Sequence, residues 1–229
     1  MSGTRRPIRV LLVDDDPMVR RGLRLVLAEY DEVVVVGEAD DGDAVPPQVE
    51  ALTPDVVLMD LRMRRVDGVR ATQALRARPE PPAVVVMTSF DTEREVLSAL
   101  RAGAAGYLLK DADPEEIVAA VVAAAHAGAS LSSTVLRQLV TLADASAHET
   151  TRPTAAHRLG VLTPGELEVA RAVAEGLTND EIAARLHLAP ATVKAYVSRA
   201  MTKLHLDGNR VLLALTVLEA GVRPSRERG

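Results

Sequence analysis

The chain has 229 residues, and 48% of them are hydrophobic, which is enough for a packed core in one large domain or two smaller ones. It contains no cysteine and no tryptophan and only one phenylalanine, which excludes disulfides and thiolate metal sites and leaves little aromatic surface for stacking single-stranded bases. The net charge of −5 is uneven: residues 1–159 hold 18 basic and 24 acidic residues, whereas residues 160–229 hold nine and eight. No apolar run reaches the roughly 18 residues of a membrane helix, and the N-terminus is short and polar, so we expect a soluble, cytoplasmic protein with no membrane partner.

Five short apolar runs mark the first half of the chain, at residues 8–13, 33–36, 56–60, 83–87 and 107–109. Each run is short for a helix and is typical of a strand buried on both faces of a parallel sheet. A helical pattern follows each run, and Pro46-Pro47 is expected to shorten or displace the start of the second helix. Five strands alternating with five helices predict a doubly wound α/β domain with right-handed crossovers over residues 1–127.

Polar side chains stand where the predicted strands end. The first run ends in Asp14 and Asp15, the third in Asp60, the fourth in Thr88 and the fifth in Lys110. Because ligands of open α/β sheets bind beyond the carboxyl ends of the strands, these groups are expected to form one site. Each residue alone has a structural explanation, such as a helix cap or a solvated lysine, but all five in this order are a strong joint signal.

Carboxylates brought together in this way cannot all stay ionised without a cation. The ligands are oxygen atoms with no His or Cys nearby, so the pattern favours Mg²⁺. Asp60 can then be a nucleophile toward a phosphoryl group, while the Thr88 hydroxyl and the Lys110 ammonium hold phosphoryl oxygens.

Residues 8–127 resemble the receiver domain of two-component response regulators, which has a flavodoxin-like fold. The segments that carry the resemblance are VLLVDDDP (10–17), VVLMDLRM (56–63), VVVMTS (84–89) and GYLLKD (106–111). The resemblance implies Asp60 as the phospho-acceptor, Asp14, Asp15, Asp60 and the backbone carbonyl of Arg62 at the metal, Thr88 and Tyr107 as switch residues, and Lys110 as the phosphate-contacting lysine.

The receiver-like segment departs from the family at Arg64, where proline usually follows methionine. The exchange removes a residue of fixed φ from the loop beside Asp60 and adds a positive charge. A second oddity, Pro46-Pro47, is expected on a face remote from the site.

The composition changes over residues 128–160. Residues 131–142 have the apolar spacing of an amphipathic helix, and residues 143–157 are small and polar. This pattern predicts an interdomain linker that contains one helix.

Residues 161–229 carry four helical patterns and predict a small all-α domain. The first two begin with N-cap signatures at Thr163 and Thr178, and a tight turn at about residues 187–190 joins the second to the third, as in a helix-turn-helix. No acidic residue lies between positions 181 and 207, an arrangement that favours a phosphate-contacting surface. The basic residues in this interval are Arg185, Lys194, Arg199 and Lys203.

Residues 162–204, including TNDEIAARLHLAPATVKAYVSRAMTKL (178–204), resemble the LuxR-type DNA-binding domain. Departures from the common pattern occur at Gly165, Leu167 and Tyr196. The resemblance implies that residues 191–204 form the recognition helix. The residues expected near base edges are Lys194, Val197 and Ser198, and those expected near phosphates are Thr192, Arg199 and Lys203.

Together the two resemblances identify a response regulator of the NarL/FixJ type, a transcription factor that catalyses only its own phosphorylation and dephosphorylation. The expected partners are a cognate sensor histidine kinase, double-stranded DNA and, on activation, a second copy in a homodimer. Phosphorylation of Asp60 is expected to draw Thr88 toward the phosphate and to let Tyr107 pack inward.

Three alternatives remain open. An atypical regulator of the same fold would bind DNA independently of phosphorylation, with Arg64 as the supporting feature. A phosphatase of the haloacid dehalogenase class uses the same groups but expects a second Asp two residues beyond the nucleophile, where Arg62 stands. A protein-binding module would place the basic helical surface against an acidic partner.

Overall fold

The computed structural model describes residues 6–89, 93–126, 156–206 and 209–221. Contacts divide the chain into two compact units, residues 1–127 and 128–229. The predicted linker helix at residues 131–142 lies outside the described residues. Within the described parts of the chain, every helix is too short or too polar to cross a membrane.

The first unit alternates strands with helices, as the sequence predicts. Its strands are β1 (Ile8–Val13), β2 (Val33–Ala39), β3 (Val56–Asp60), β4 (Ala83–Thr88) and β5 (Gly106–Leu109). Its helices are α1 (Pro17–Leu27), α2 (Val45–Leu52), α3 (Gly68–Arg76), α4 (Glu93–Arg101) and α5 (Pro114–Ala125). All strand pairs are parallel and the order is β2-β1-β3-β4-β5, which confirms the doubly wound five-stranded sheet.

Strand β3 is the middle strand and is buried at all of its positions. Leu58 is in register with Leu12 of β1 and with Val85 of β4, and all three belong to one apolar cluster with Ile117 and Val121 of α5. Val13 is in register with Met59, so the residues that follow them, Asp14 and Asp60, come to the same edge of the sheet. The apolar core therefore fixes which polar groups meet.

Two elements of the first unit differ in detail from the sequence pattern. Strand β2 continues to Ala39, because it stays hydrogen-bonded to β1 beyond the apolar residues on which the prediction rests. Its register with β1 shifts between Val10 and Leu11. Helix α2 begins at Val45 after a 3₁₀ turn (Gly42–Ala44), which confirms the expected displacement by Pro46-Pro47, since prolines fit a first helical turn.

The second unit is helical, as predicted. Its helices are α6 (Pro164–Ala174), α7 (Asn179–Leu186), α8 (Pro190–Lys203) and α9 (Arg210–Glu219). Residues 156–159 are helical too, although the sequence pattern places them in the linker. Leu159 is buried, and the Arg158 guanidinium donates to the Leu204 carbonyl oxygen at 3.2 Å, so the packed part of this unit includes residues before position 160.

The charged side chain of Glu166 is buried in the second unit. Its carboxylate accepts from the Thr163 backbone N–H at 2.9 Å and completes a capping box at the start of α6. It also accepts from the Lys203 ammonium at 2.7 Å. The hydrogen bond with Lys203 lowers the pKa of Glu166 to about 2. This pair therefore joins the end of α8 to the start of α6.

We predict that Glu166→Gln destabilises the second unit at pH 7 by about 1–3 kcal/mol, because the part-buried hydrogen bond with the Lys203 ammonium loses its charged acceptor. A lowered pKa means that the carboxylate stabilises the fold above its ordinary pKa of 4.5, and that this contribution disappears as the pH falls toward 2. The difference between wild type and variant should therefore shrink over that range. Urea unfolding followed through hydrogen exchange of α6 and α8 amides measures it.

The matched control is Glu181→Gln, which alters the equivalent capping-box residue of α7. The Glu181 side chain is exposed, and its carboxylate accepts from the Thr178 backbone N–H at 2.7 Å, while the Glu181 backbone N–H donates to the Thr178 hydroxyl at 3.0 Å. Among the described residues, no basic side chain pairs with this carboxylate. Its replacement should cost less. Equal costs for the two variants would contradict a special role for the Lys203 contact.

Candidate functional site

Three carboxylates meet at the carboxyl ends of β1 and β3. One oxygen from each of Asp14, Asp15 and Asp60 lies within 4.8 Å of the others. Asp14 and Asp60 are buried, whereas Asp15 is half-buried. The structure thus brings together the acidic residues that the strand ends indicate.

Lys110 joins two of these carboxylates. Its Nζ lies 2.6 Å from Asp14 Oδ2 and 3.1 Å from Asp60 Oδ1. Asp14 Oδ1 accepts from the Asp16 backbone N–H, but no other donor among the described residues reaches the buried Oδ2. Two buried carboxylates therefore depend on one ammonium group.

The electrostatics of the cluster reflect this shortage of positive charge. Burial raises the pKa of the Asp60 carboxyl, the Lys110 ammonium opposes the rise, and the Asp14 charge adds to it; the net shift is upward. Burial alone would lower the pKa of Lys110, but its hydrogen bond with Asp14 and the charge of Asp60 outweigh burial and raise it. The lysine is thus held protonated, and the site favours additional positive charge.

The donor set fits a hard divalent cation. All the available ligand atoms are oxygens, one of them the buried Asp14 Oδ2 with its single cationic neighbour. Such a set suits Mg²⁺ better than a metal that prefers nitrogen or sulfur. Asp14, Asp15 and Asp60 are the side chains that could hold it.

Thr88 and Tyr107 lie on the two strands that follow β3 in the sheet. Thr88 is buried at the end of β4, and its carbonyl oxygen accepts from the Lys110 backbone N–H at 2.8 Å. Tyr107 lies on β5 in register with Val86 and is only 3% exposed. The ring is therefore buried in this structure, and the expectation that phosphorylation lets Tyr107 pack inward stays a prediction.

The loop between β3 and α3 is held by three arginines that reach three different acidic neighbours. The pairs are Arg62 with Glu95 of α4 at 3.0 Å, Arg64 with Asp15 at 3.2 Å, and Arg65 with Asp43 at 2.7 Å. The side chain of Arg62 thus points to α4, while its backbone N–H contacts Asp60. The positive charge of Arg64 thus lies next to Asp15, one of the three clustered carboxylates.

Two residues that support this loop were not singled out from the sequence. Buried Asp41 accepts from the backbone N–H groups of Arg65 and Val66 at 2.9 and 2.8 Å, and so fixes the loop that lacks the usual proline. At Gly68, an added Cβ would lie 2.2 Å from the Asp60 carbonyl oxygen, so only glycine lets α3 start this close to β3. Asp67 caps α3 at this point, accepting from the Arg70 backbone N–H at 2.8 Å, and in the sequence nothing distinguished Asp41 from its acidic neighbours.

Helix α8 presents the predicted DNA-contacting residues unevenly. Lys194, Ser198 and Arg199 are exposed and Thr192 is half-buried. Val197 is only 5% exposed, so its assignment to a base edge is wrong. The helical spacing of the buried side chains places it in the stripe that faces the core, with Val193 and Ala200.

Half of the basic residues in the acid-free interval are neutralised within the second unit. Arg185 forms an ion pair with Glu175, and Lys203 is paired with Glu166. The Arg199 guanidinium lies over the Tyr196 ring, 5.2 Å from its centroid. Among the described residues, only Lys194 and Arg199 of this set lack an acidic partner, so the net positive surface is smaller than the sequence indicates.

We predict that Asp60→Asn raises the thermal stability of the first unit at pH 7 without divalent cations. The raised pKa means that ionised Asp60 costs stability at neutral pH, and that this cost disappears as the pH falls through the folded pKa and below the ordinary value of 3.8. A change of a few degrees in Tm is expected, since about 1 kcal/mol shifts Tm by about 4–8 °C for 60–100 residues and by about 2–4 °C for 150–250 residues. Asp15→Asn, at the half-buried carboxylate, should change Tm less; a lower Tm for Asp60→Asn would contradict the prediction.

Comparison with known proteins places both units in described families. Residues 10–122 match the response regulator receiver domain, and residues 160–216 match the bacterial regulatory proteins of the luxR family. The nitrate/nitrite response regulator protein NarL of Escherichia coli (strain K12) is 35% identical over 211 residues, which cover 92% of this chain and 95% of NarL. The transcriptional regulatory protein LiaR of Bacillus subtilis (strain 168) is 38% identical over 205 residues, which cover 87% of this chain and 92% of LiaR.

A solved relative matches over nearly the whole chain. The crystal structure of the response regulator ChrA of a heme-sensing two-component system matches with a TM-score of 0.51 and 34% identity, covering 95% of this chain and 100% of that protein. The chain therefore belongs to the NarL/FixJ-type two-component response regulators, transcriptional regulators that join a receiver domain to a LuxR-type DNA-binding domain.

Proposed function

We propose that Asp60 accepts a phosphoryl group from a cognate sensor histidine kinase, and that this event controls DNA binding by the second unit. The observation that carries the proposal is the pair of buried carboxylates, Asp14 and Asp60, that share the Lys110 ammonium at the edge of the sheet. If the cluster had only a structural role, two buried carboxylates with a single ammonium would simply cost stability. An incoming cation that supplies the missing positive charge gives this arrangement a use.

Each residue has a distinct role in the proposed transfer. Asp14, Asp15, Asp60 and the Arg62 carbonyl would hold Mg²⁺, which when bound supplies positive charge to the phosphoryl oxygens. An Asp60 carboxylate oxygen forms the new P–O bond as the bond from phosphorus to the donor's imidazole nitrogen breaks. Lys110, already 3.1 Å from Asp60 Oδ1, neutralises a phosphoryl oxygen, and Asp14 keeps the ammonium in position. The Thr88 hydroxyl donates to another phosphoryl oxygen.

We predict that the purified full-length chain gains one phosphoryl group from acetyl phosphate in the presence of Mg²⁺, and that Asp60→Asn abolishes the gain. Intact-mass spectrometry measures both. The control is Asp16→Asn, because Asp16 caps α1 through the Met18 N–H at 2.8 Å and asparagine caps equally well. Phosphorylation of Asp60→Asn to the wild-type extent would reject Asp60 as the acceptor.

The proposed response is a population shift toward a homodimer. A phosphoryl group at Asp60 would draw Thr88, whose carbonyl is bonded to the Lys110 backbone, and so move the ends of β4 and β5 together. Two helix-turn-helix domains in one dimer engage two half-sites with a gain in effective concentration. Sizing with and without a beryllofluoride mimic, together with DNA affinity, tests this step; an unchanged mass and affinity would contradict it.

On the DNA side, we place Lys194 and Ser198 near base edges, with Arg199 and Thr192 nearer phosphates. Half-buried Ala195 takes the apolar role that Val197 was expected to have, since a methyl group can contact the thymine methyl. Lys203 can reach a phosphate only by sharing its ammonium with Glu166.

We predict that Lys194→Ala and Arg199→Ala each weaken DNA binding, because neither cation has an acidic partner among the described residues. If either side chain neutralises a DNA phosphate, its removal should reduce the slope of log affinity against log salt by about 1. Arg185→Gln is the matched control, since this exposed arginine is already paired with Glu175 and should leave the salt slope unchanged. Equal effects of the three variants would argue against this assignment.

A second candidate is an atypical regulator whose DNA binding does not depend on phosphorylation. The Arg64–Asp15 ion pair favours it, because an expected metal ligand already has a cationic partner. Equal DNA binding by wild type and Asp60→Asn under phosphodonor would support this candidate. The phosphatase alternative gains no comparable support, because Arg62 at the position of the second Asp pairs with Glu95 instead.

A further inference from the structure

We infer that Arg64 is an internal competitor of the divalent cation at Asp15 and weakens cation binding by this receiver. The inference rests on the proposed function, in which Asp15 is a metal ligand. Its basis is one contact: the Arg64 guanidinium Nε lies 3.2 Å from Asp15 Oδ2.

The charges in the cluster explain why the contact falls on Asp15. Lys110 serves Asp14 and Asp60, with Nζ distances of 2.6 and 3.1 Å, and no contact joins it to Asp15 within the described residues. The third carboxylate obtains its cation from Arg64. Each of the three carboxylates thus has a positive neighbour, and a cation that binds Asp15 competes with the Arg64 guanidinium for that carboxylate.

The backbone of the loop keeps Arg64 close to this position. On one side, the Arg62 guanidinium pairs with Glu95. On the other, Asp41 accepts from the backbone N–H groups of Arg65 and Val66. With the Arg65 and Val66 backbone held by Asp41, the Arg64 side chain stays within reach of Asp15, and its charge remains near the site even after the contact opens.

The exposure of the pair sets the size of the effect. The Arg64 side chain is 81% exposed and that of Asp15 is 27% exposed, so the ion pair is weak and easily broken. Arg64 therefore tunes the site rather than closing it. Two effects contribute: the ion pair must be broken, and the guanidinium repels a nearby dication. Together we expect them to weaken cation binding by about three- to tenfold at low salt, compared with a chain that lacks this charge. Proline, the residue usual at this position, has no such charge.

The experiment measures Mg²⁺ binding to the full-length chain by isothermal titration calorimetry, with the Mg²⁺-dependent rise in Tm as a second readout. The variants are Arg64→Gln, Arg64→Pro and Arg64→Lys. The charge control is Arg70→Gln, which removes an exposed arginine of α3 whose neighbour is Asp67 at 3.6 Å, away from the cluster. Asp15→Asn identifies the site that is titrated.

The expected result is a dissociation constant about three- to tenfold lower for Arg64→Gln and Arg64→Pro, with Arg64→Lys and Arg70→Gln close to wild type. The gain should shrink at high ionic strength, because salt screens an exposed charge. A gain in Arg64→Pro alone would assign the effect to loop rigidity and overturn the inference.

The failure of the inference and the failure of the proposed metal site give different results. If all Arg64 variants bind Mg²⁺ as wild type does while Asp15→Asn binds more weakly, the metal site stands and the competition is rejected. If neither wild type nor Arg64→Gln shows heat or a Tm shift with Mg²⁺, the metal site is rejected and the inference with it.

Discussion

The receiver is organised around two buried carboxylates that share one ammonium group. Asp14 and Asp60 reach the same edge of the sheet because the residues before them, Val13 and Met59, are paired in the core. Lys110 directly follows β5, and its backbone N–H donates to the Thr88 carbonyl oxygen at the end of β4. The same apolar packing that stabilises the sheet thus holds Asp60 in an environment that raises its pKa and favours cations. Burial and incomplete neutralisation, rather than any single residue, give the edge of this sheet its preference for added positive charge.

The second unit uses an ion pair with a buried carboxylate for a different purpose. Glu166 and Lys203 connect the first helix of the unit with the end of the helix assigned to DNA recognition. Arg185 and Glu175 make a comparable link between α7 and the end of α6. These contacts neutralise two basic side chains that a count of charged residues along the sequence would treat as available for DNA. The contact between Lys203 and Glu166 both fixes the end of α8 and reduces the positive charge that α8 can offer to a phosphate.

Most of the fold was predictable because apolar runs and caps are local signals. The five strands, the displaced start of α2 and the capping boxes at Thr163 and Thr178 follow from residues close in sequence. The meeting of the three carboxylates followed from strand order alone. What could not be predicted depends on distant partners: the buried state of Val197, the pairing of Lys203, and the capture of the loop backbone by Asp41. Composition does not show which of several like charges finds a partner, because that is decided by packing.

The close approach of Gly68 to the Asp60 carbonyl oxygen determines which positions near this loop can be substituted. An added Cβ at Gly68 would lie 2.2 Å from that oxygen, and one at Gly42 would lie 2.4 Å from the Val66 carbonyl. Both of these glycine positions beside the loop are therefore closed even to alanine. Position 64, on the exposed stretch of the loop, is under no such steric limit, since its side chain is 81% exposed. Position 64 can therefore accept side chains of different charge beside Asp15 without disturbing the packing of α3 against β3, so a single exchange there can change the charge at the site.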